Sequence, residues 1–200
     1  MSKESLLIQF ERMGISKKVI SAFKKVPREE FVLPEWKEEA YEDTPLPIIA
    51  GQTISQPSTI VLMLDALEVK DGMKVLEIGA GSGYNAAFLS KLEAKVYTIE
   101  RIKELAEFAK KNLKRTGIKN VTVIHADGRK GYAKEAPYDR IIVTAAAEKI
   151  PEALLEQLKD GGVLLMPVGP EYGQELIRVR RKGKEHSYEK LGGYMFVPLR

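Results

Sequence analysis

The sequence predicts an α/β fold: a mostly parallel, doubly wound sheet with an N-terminal helical appendage and a C-terminal antiparallel hairpin. Three observations predict it. The apolar run Val75-Leu76-Glu77-Ile78 leads into Gly79-Ala80-Gly81-Ser82-Gly83 and then into helix-forming sequence. That order reads as the first strand, tight turn and first helix of a nucleotide-binding unit. Beyond Gly72, apolar runs alternate with helical segments, as a parallel sheet covered on both faces requires. The tail breaks the pattern with two strand-like runs joined by Lys182-Gly183-Lys184.

The elements follow in order. Residues 2–35 read as helical and stand apart from the core pattern. Ser16 is placed to cap a helix carrying Val19, Ile20, Phe23 and Val26 on one face, ended by Pro27. Pro45, Pro47 and Gly51 impose an irregular loop. Pro57 fits the first turn of a helix through Leu62, Met63 and Leu67 toward Gly72. Strands are predicted at Lys74–Ile78, Lys95–Ile99, Val121–His125, Arg140–Val143 and Val163–Pro167. Helices are predicted at Tyr84–Leu92 and at Ile102–Thr116, the second closed by Gly117. A further helix opens at Pro151 and ends at Gly161-Gly162, and Glu175–Arg181 with Ser187–Pro198 form the hairpin. With no internal repeat and no linker, one domain spans 1–200: N-terminal helices and a loop to 56, an α/β core over 57–170, and a hairpin over 171–200.

Composition narrows the function. A chain of 200 residues, 44% hydrophobic and 30% charged, is globular and large enough for one substantial core. No apolar run approaches the roughly 20 residues of a membrane span, and Met1-Ser2-Lys3-Glu4 lacks the apolar stretch of a signal peptide. The absence of cysteine removes disulfides, thiolate metal sites and cysteine nucleophiles, and fits a reducing cytoplasm. Abundant Lys and Glu with no Cys point to a thermophilic source. The net charge of +4 is modest, and the densest basic cluster, Arg178 to Lys182, reads as a charged hairpin edge rather than a nucleic-acid patch. His125 and His186 are too scattered for a zinc site or a Ser-His-Asp triad, so no metal is expected. A monomer is the expected state, and neither nucleic acid nor membrane is an expected partner.

The glycine turn discriminates between ligands. A dinucleotide fingerprint would place a third glycine at Tyr84, and a carboxylate at Glu77 suits a cation better than a pyrophosphate. S-adenosylmethionine is cationic and carries no phosphate, and the loop resembles the Glu/Asp-x-Gly-x-Gly-x-Gly cofactor loop of the Rossmann-like methyltransferases. Glu77, Gly79, Gly81, Ser82 and Gly83 are therefore candidate cofactor residues. Glu100 ends the second strand about 20 residues on, where an acid can accept from both ribose hydroxyls. Asp127-Gly128 ends the third strand, as an acceptor for the adenine amino group or as a turn-forming pair. Thr144 and Ala145, after the fourth strand, offer small side chains and backbone beside the reaction centre.

The acceptor comes from a second resemblance. Leu46-Pro47-Ile48-Ile49-Ala50-Gly51-Gln52-Thr53-Ile54-Ser55-Gln56-Pro57 resembles the segment before the cofactor fold in protein-L-isoaspartate O-methyltransferases. Val26-Pro27-Arg28-Glu29, Ala136-Pro137-Tyr138-Asp139 and Phe196-Val197-Pro198-Leu199 match as well. Two departures, Ile49-Ala50 near a usual glycine and Ala126 where Gly-Asp-Gly is commoner, concern loop detail. The resemblance implies methyl transfer from S-adenosylmethionine to the free α-carboxylate of L-isoaspartyl residues in damaged proteins, opening repair through a succinimide. It makes Ser55 the catalytic position and gives Val197 a backbone contact to substrate. The residues support this independently. A carboxylate is already ionised at neutral pH, so the site must desolvate and aim it, a task for the hydroxyls of Thr53 and Ser55. The alternative for Ser55 is an N-cap of the helix begun by Pro57. Rival functions are an RNA or small-molecule methyltransferase, a non-catalytic cofactor-binding module and, more distantly, a dehydrogenase.

Overall fold

A computed structural model describes residues 1–170 and 172–200. The elements in chain order are α1 (Lys3–Arg12), α2 (Lys17–Lys25), β1 (Leu46–Pro47), β2 (Thr53–Ile54), α3 (Pro57–Leu67), β3 (Lys74–Ile78), α4 (Tyr84–Lys91), β4 (Lys95–Glu100), α5 (Lys103–Arg115), β5 (Val121–His125), β6 (Tyr138–Val143), α6 (Glu152–Glu156), β7 (Leu158–Val168), β8 (Gln174–Lys182) and β9 (Glu185–Tyr194). The main sheet has seven strands in the order β5-β4-β3-β6-β7-β8-β9. From β5 to β7 every pair is parallel, and β8 and β9 add antiparallel. The fold class read from the sequence is the one observed. The order reverses at β3, so the first two crossovers leave on one side and the next on the other. That creates a crevice at the carboxyl ends of β3, β4 and β6.

Alternation along the strands splits the core in two. Val75, Val96, Ile142, Val163 and Leu165 face a cluster that also takes buried side chains from α1 to α5. Leu76, Tyr97, Ile141, Leu164 and Met166 face the other side, covered by Leu154 of α6 and by turns at Tyr132 and Ala136. The central strands β3, β4, β6 and β7 are largely apolar on both faces because both faces are buried there. The amphipathic face of α2 (Val19, Ile20, Phe23) packs into the first cluster, where Phe23 meets Phe10 edge-on with ring centroids 5.0 Å apart. Phe23 also approaches Phe88 of α4 at 6.0 Å, so the N-terminal helices join the α/β core through shared aromatics.

Several local expectations change. Ser16 occupies the N-cap position of α2 without a side-chain capping bond; its N–H donates to Asp65 Oδ1 at 3.1 Å instead. The helix after Pro151 lasts only from Glu152 to Glu156, and Gly161-Gly162 lie inside β7 rather than ending a helix. Pairing of Leu158 and Val163 with β6 on either side carries the strand past the glycines, and a register shift between Tyr138 and Arg140 absorbs the extra residues as a bulge. The hairpin begins at Gln174 and its second strand ends at Tyr194, leaving 195–200 to turn back toward the sheet. His186 belongs to β9 rather than to the turn, paired with Arg181. Glu171, the first residue of the expected hairpin segment, lies outside the described residues. The basic cluster is engaged locally: Arg178 pairs with Glu189 at 2.6 Å, Arg180 with Glu68, and Arg181 donates to Leu158 O at 2.6 Å. Among the described residues no helix is long and apolar enough to cross a membrane.

Candidate active site

The carboxyl ends of β3, β4 and β6, the β1–β2 loop and the returning C-terminal segment enclose a cavity of about 380 Å³. Its floor is the glycine turn. Gly79 has φ +96°, and a Cβ there would lie 2.4 Å from Thr144 Oγ1. Thr144 cannot easily yield, because its N–H donates to Ile78 O at 3.0 Å and its hydroxyl to Gly79 O at 2.9 Å. The turn is also held from β4: the N–H groups of Gly79 and Ala80 donate to Ile99 O at 2.8 and 3.2 Å. Gly128 is the other close approach, where a Cβ would fall 2.3 Å from Ile78 Cγ2.

Glu100 is the organising acid. It is 7% exposed and lines the cavity. Its Oε2 accepts from Gly81 N–H at 3.1 Å and its Oε1 from Ile102 N–H at 2.9 Å. One carboxylate thus ties the glycine turn to the entry of α5, and each oxygen keeps a lone pair for another donor. Both bonds are charge-assisted and so stronger than neutral ones.

The other predicted acids are placed differently. Glu77 is fully buried and absent from the cavity lining. Its Oε1 accepts from Asn85 Nδ2 at 2.7 Å, and Asn85 does reach the cavity, so Glu77 addresses it through that amide. Burial pushes the Glu77 carboxyl up to about 7, against the lowering influence of Thr98 and Asn85, with nearby Glu100 adding to the rise. Asp127 also stands off the lining. It caps the turn Gly128–Lys130 by accepting from Arg129 N–H at 3.0 Å, and pairs with the Arg129 guanidinium at 2.8 Å, which holds its carboxyl below the usual range. The turn-forming option is therefore realised for Asp127.

Of the remaining sequence candidates, Gly81, Ser82, Gly128, Thr144 and Ala145 line the cavity with Gly79. Gly83 does not; it is the N-cap of α4 with φ +85°. Thr53 and Ser55 also line the cavity, Thr53 exposed and Ser55 half-buried. The N-cap of α3 is Gln56 and no side chain at that position makes a capping bond, so Ser55 is not spent on the helix. Val197 lines the cavity too, with its carbonyl accepting from Ala146 N–H at 2.8 Å. Sequence reasoning passed over Asn85, Ile60, Met63, Ile102 and Leu105 as site residues, and all five line the cavity. Only Asn85 carried a signal, a polar residue one position inside the helix that follows the turn. Among the described residues no group of three or more His, Cys, Asp or Glu could hold a metal ion.

The family model for Protein-L-isoaspartate(D-aspartate) O-methyltransferase (PCMT) matches residues 1–200. The chain belongs to that family. A protein-L-isoaspartate O-methyltransferase of Staphylothermus marinus is 55% identical over 94% of this chain and 89% of its own. One from Pyrococcus abyssi is 53% identical over 94% and 90%. A solved protein-L-isoaspartate O-methyltransferase superposes with a TM-score of 0.90 at 32% identity, covering 98% of this chain; the chain spans 65% of that longer one. The crystal structure of a Plasmodium falciparum protein assigned as a protein-L-isoaspartate O-methyltransferase, in complex with S-adenosyl-L-homocysteine, gives 0.86 at 30% identity and covers 100% and 99% of the two chains. The resemblance drawn from Gly51–Pro57 and the glycine turn thus extends over the whole sequence.

Proposed function

We infer that this chain transfers the methyl group of S-adenosylmethionine to the free α-carboxylate of L-isoaspartyl residues in damaged proteins, the step that opens their repair through a succinimide. The observation that carries the reading is one cavity lined both by the glycine turn and Glu100 and by the Thr53 and Ser55 segment. Its fit to the cofactor rests on room and donor set. Glycines at 79 and 128 let the turns pack against Thr144 and Ile78 along the cavity, and Glu100 presents acceptors for a vicinal diol beside apolar Ile102 and Leu105. Gly79, Gly81, Ser82, Gly128, Thr144 and Ala145 would hold the cofactor from below, with Glu77 acting through Asn85. When bound, the cofactor supplies an electrophilic methyl on a sulfonium.

The chain's own part is binding and aim. The acceptor carboxylate is ionised at neutral pH, so no strong base is required. Ser55 and Thr53 donate hydrogen bonds that orient it without the tight hold of a full positive charge. The apolar Ile54, Ile60 and Met63 around them exclude water from the nucleophile. A cytoplasmic setting belongs to the same proposal, and a chain without cysteine fits it; a monomeric state is proposed with it.

Ser55→Ala removes one donor and nothing else. Its kcat for an isoaspartyl peptide is expected to fall about 100-fold, the effect typical of losing one aligned donor, while the dissociation constant for S-adenosylhomocysteine stays within about twofold. Wild-type turnover in this variant would remove Ser55 from the chemistry.

A further inference from the structure

The segment carrying Thr53 and Ser55 is short of internal support. Among the described residues its only strand pairing is Leu46 with Ile54 and Pro47 with Thr53, and its tip from Ile49 to Gly51 turns through positive φ at Ala50 and Gly51. Two paired residues on each side do not fix a loop in water. Burial of Leu46, Ile48 and Ile54 in the first core cluster anchors its middle, and a polar tie fixes its base. Asp43, just before the loop, accepts through Oδ1 from the N–H of Ser58 at 2.8 Å, just after it. Ser58 lies in the first turn of α3, whose own N-cap residue makes no side-chain bond. The helix amide that a local cap would satisfy is satisfied from 15 residues upstream, and this closes the loop. The other oxygen, Oδ2, accepts from Gln9 Nε2 of α1 at 3.0 Å. The neighbouring carbonyl of Thr44 accepts from Arg28 Nη2 at 3.2 Å, and Arg28 is completely buried.

We propose that Asp43 is a positioning residue for methyl transfer, the latch by which the N-terminal helices hold the acceptor loop at the cavity mouth. The proposal rests on the assignment of Thr53 and Ser55 as the donors to the acceptor carboxylate. It gives α1 a part in the reaction although no α1 residue lines the cavity. Asp43 touches neither substrate nor cofactor. It acts on the loop's backbone, where a displacement of about 1 Å is enough to lower a rate about 100-fold.

The test compares Asp43→Ala, Asp43→Asn and Gln9→Ala with wild type, by steady-state kinetics on an isoaspartyl peptide and by calorimetric binding of S-adenosylhomocysteine. Asp43→Ala is expected to lower kcat/KM about tenfold or more, the scale of a lost charge-assisted hydrogen bond, with cofactor affinity within about twofold. Asp43→Asn keeps a carbonyl oxygen for the Ser58 amide and should recover most of that loss. Gln9→Ala keeps the loop closure but cuts the tie to α1, and a fall of about threefold is expected. It also carries the test, with the asparagine variant, if the alanine protein does not fold. A merely structural Asp43 would lower the melting temperature and leave kcat/KM of the folded fraction unchanged, which would overturn the proposal. An asparagine variant as poor as the alanine one would also overturn it, by showing that charge beside Arg28 rather than loop closure is what matters. Should Ser55→Ala turn over normally, the loop assignment itself fails; should it be slow while Asp43→Ala is normal, only the latch fails.

Discussion

Gly79→Ala is expected to lower both stability and cofactor affinity strongly. The new Cβ would sit 2.4 Å from Thr144 Oγ1, and the backbone must keep φ +96°, a conformation side-chain-bearing residues rarely adopt. Thr144 can relieve the clash only by breaking its bonds to Gly79 O and Ile78 O. Together these cost about 3 kcal/mol, lowering the melting temperature by about 6–12 °C for a chain of this size. Cofactor binding suffers more, because a shifted turn fills the cavity floor. Calorimetric titration with S-adenosylhomocysteine is expected to show affinity reduced about 100-fold or more. The double variant Gly79→Ala, Thr144→Ala separates the causes. Removing the hydroxyl relieves the clash but not the backbone strain, so only part of the stability returns. Wild-type affinity in the single variant would show that the turn does not form the cofactor's floor.

Glu100→Ala is the second. The substitution deletes the acceptor for Gly81 N–H and for Ile102 N–H together with the proposed acceptor for the ribose hydroxyls. Two backbone amides lose charge-assisted partners in a nearly buried place, worth about 1.5–3 kcal/mol each before any ligand is considered. Binding of S-adenosylhomocysteine is expected to weaken at least about 100-fold. Glu100→Gln keeps one carbonyl oxygen and should fall between. The discriminating probe is a cofactor analogue lacking the ribose hydroxyls. Wild type should bind it far more weakly than the parent compound, whereas Glu100→Ala should scarcely distinguish the two. Equal discrimination by both proteins would confine Glu100 to holding the turn.

The parts of this fold legible in the sequence are those where local pattern and tertiary demand agree. β3 and β5 fall residue for residue where the apolar runs place them, at Lys74–Ile78 and Val121–His125. The glycine turn was legible because its backbone needs glycine whatever surrounds it. What was not legible was decided by strand pairing and side-chain direction. Gly161-Gly162 look like a helix end, yet they fall in the bulge of β7 between Leu158 and Val163, the residues that pair with Tyr138 and Arg140 of β6. Glu77 and Asp127 sit in sequence where a ligand would meet them, but side-chain direction is not written in spacing. β3 turns Glu77 inward to Asn85, and Arg129 two residues on claims Asp127. Glu100 was legible as an acid after a strand, but its double grip on Gly81 and Ile102 was not. Asp43 gave no signal, since its partners lie 34 residues before it and 15 after.

The most direct measurement pairs two synthetic peptides identical except for L-isoaspartate or L-aspartate at one position. Each is incubated with the protein and methyl-labelled S-adenosylmethionine, and base-labile methyl ester is counted. Label on the isoaspartyl peptide alone is the predicted result. Equal label on both peptides, or none on either when cofactor binding is intact, would contradict it.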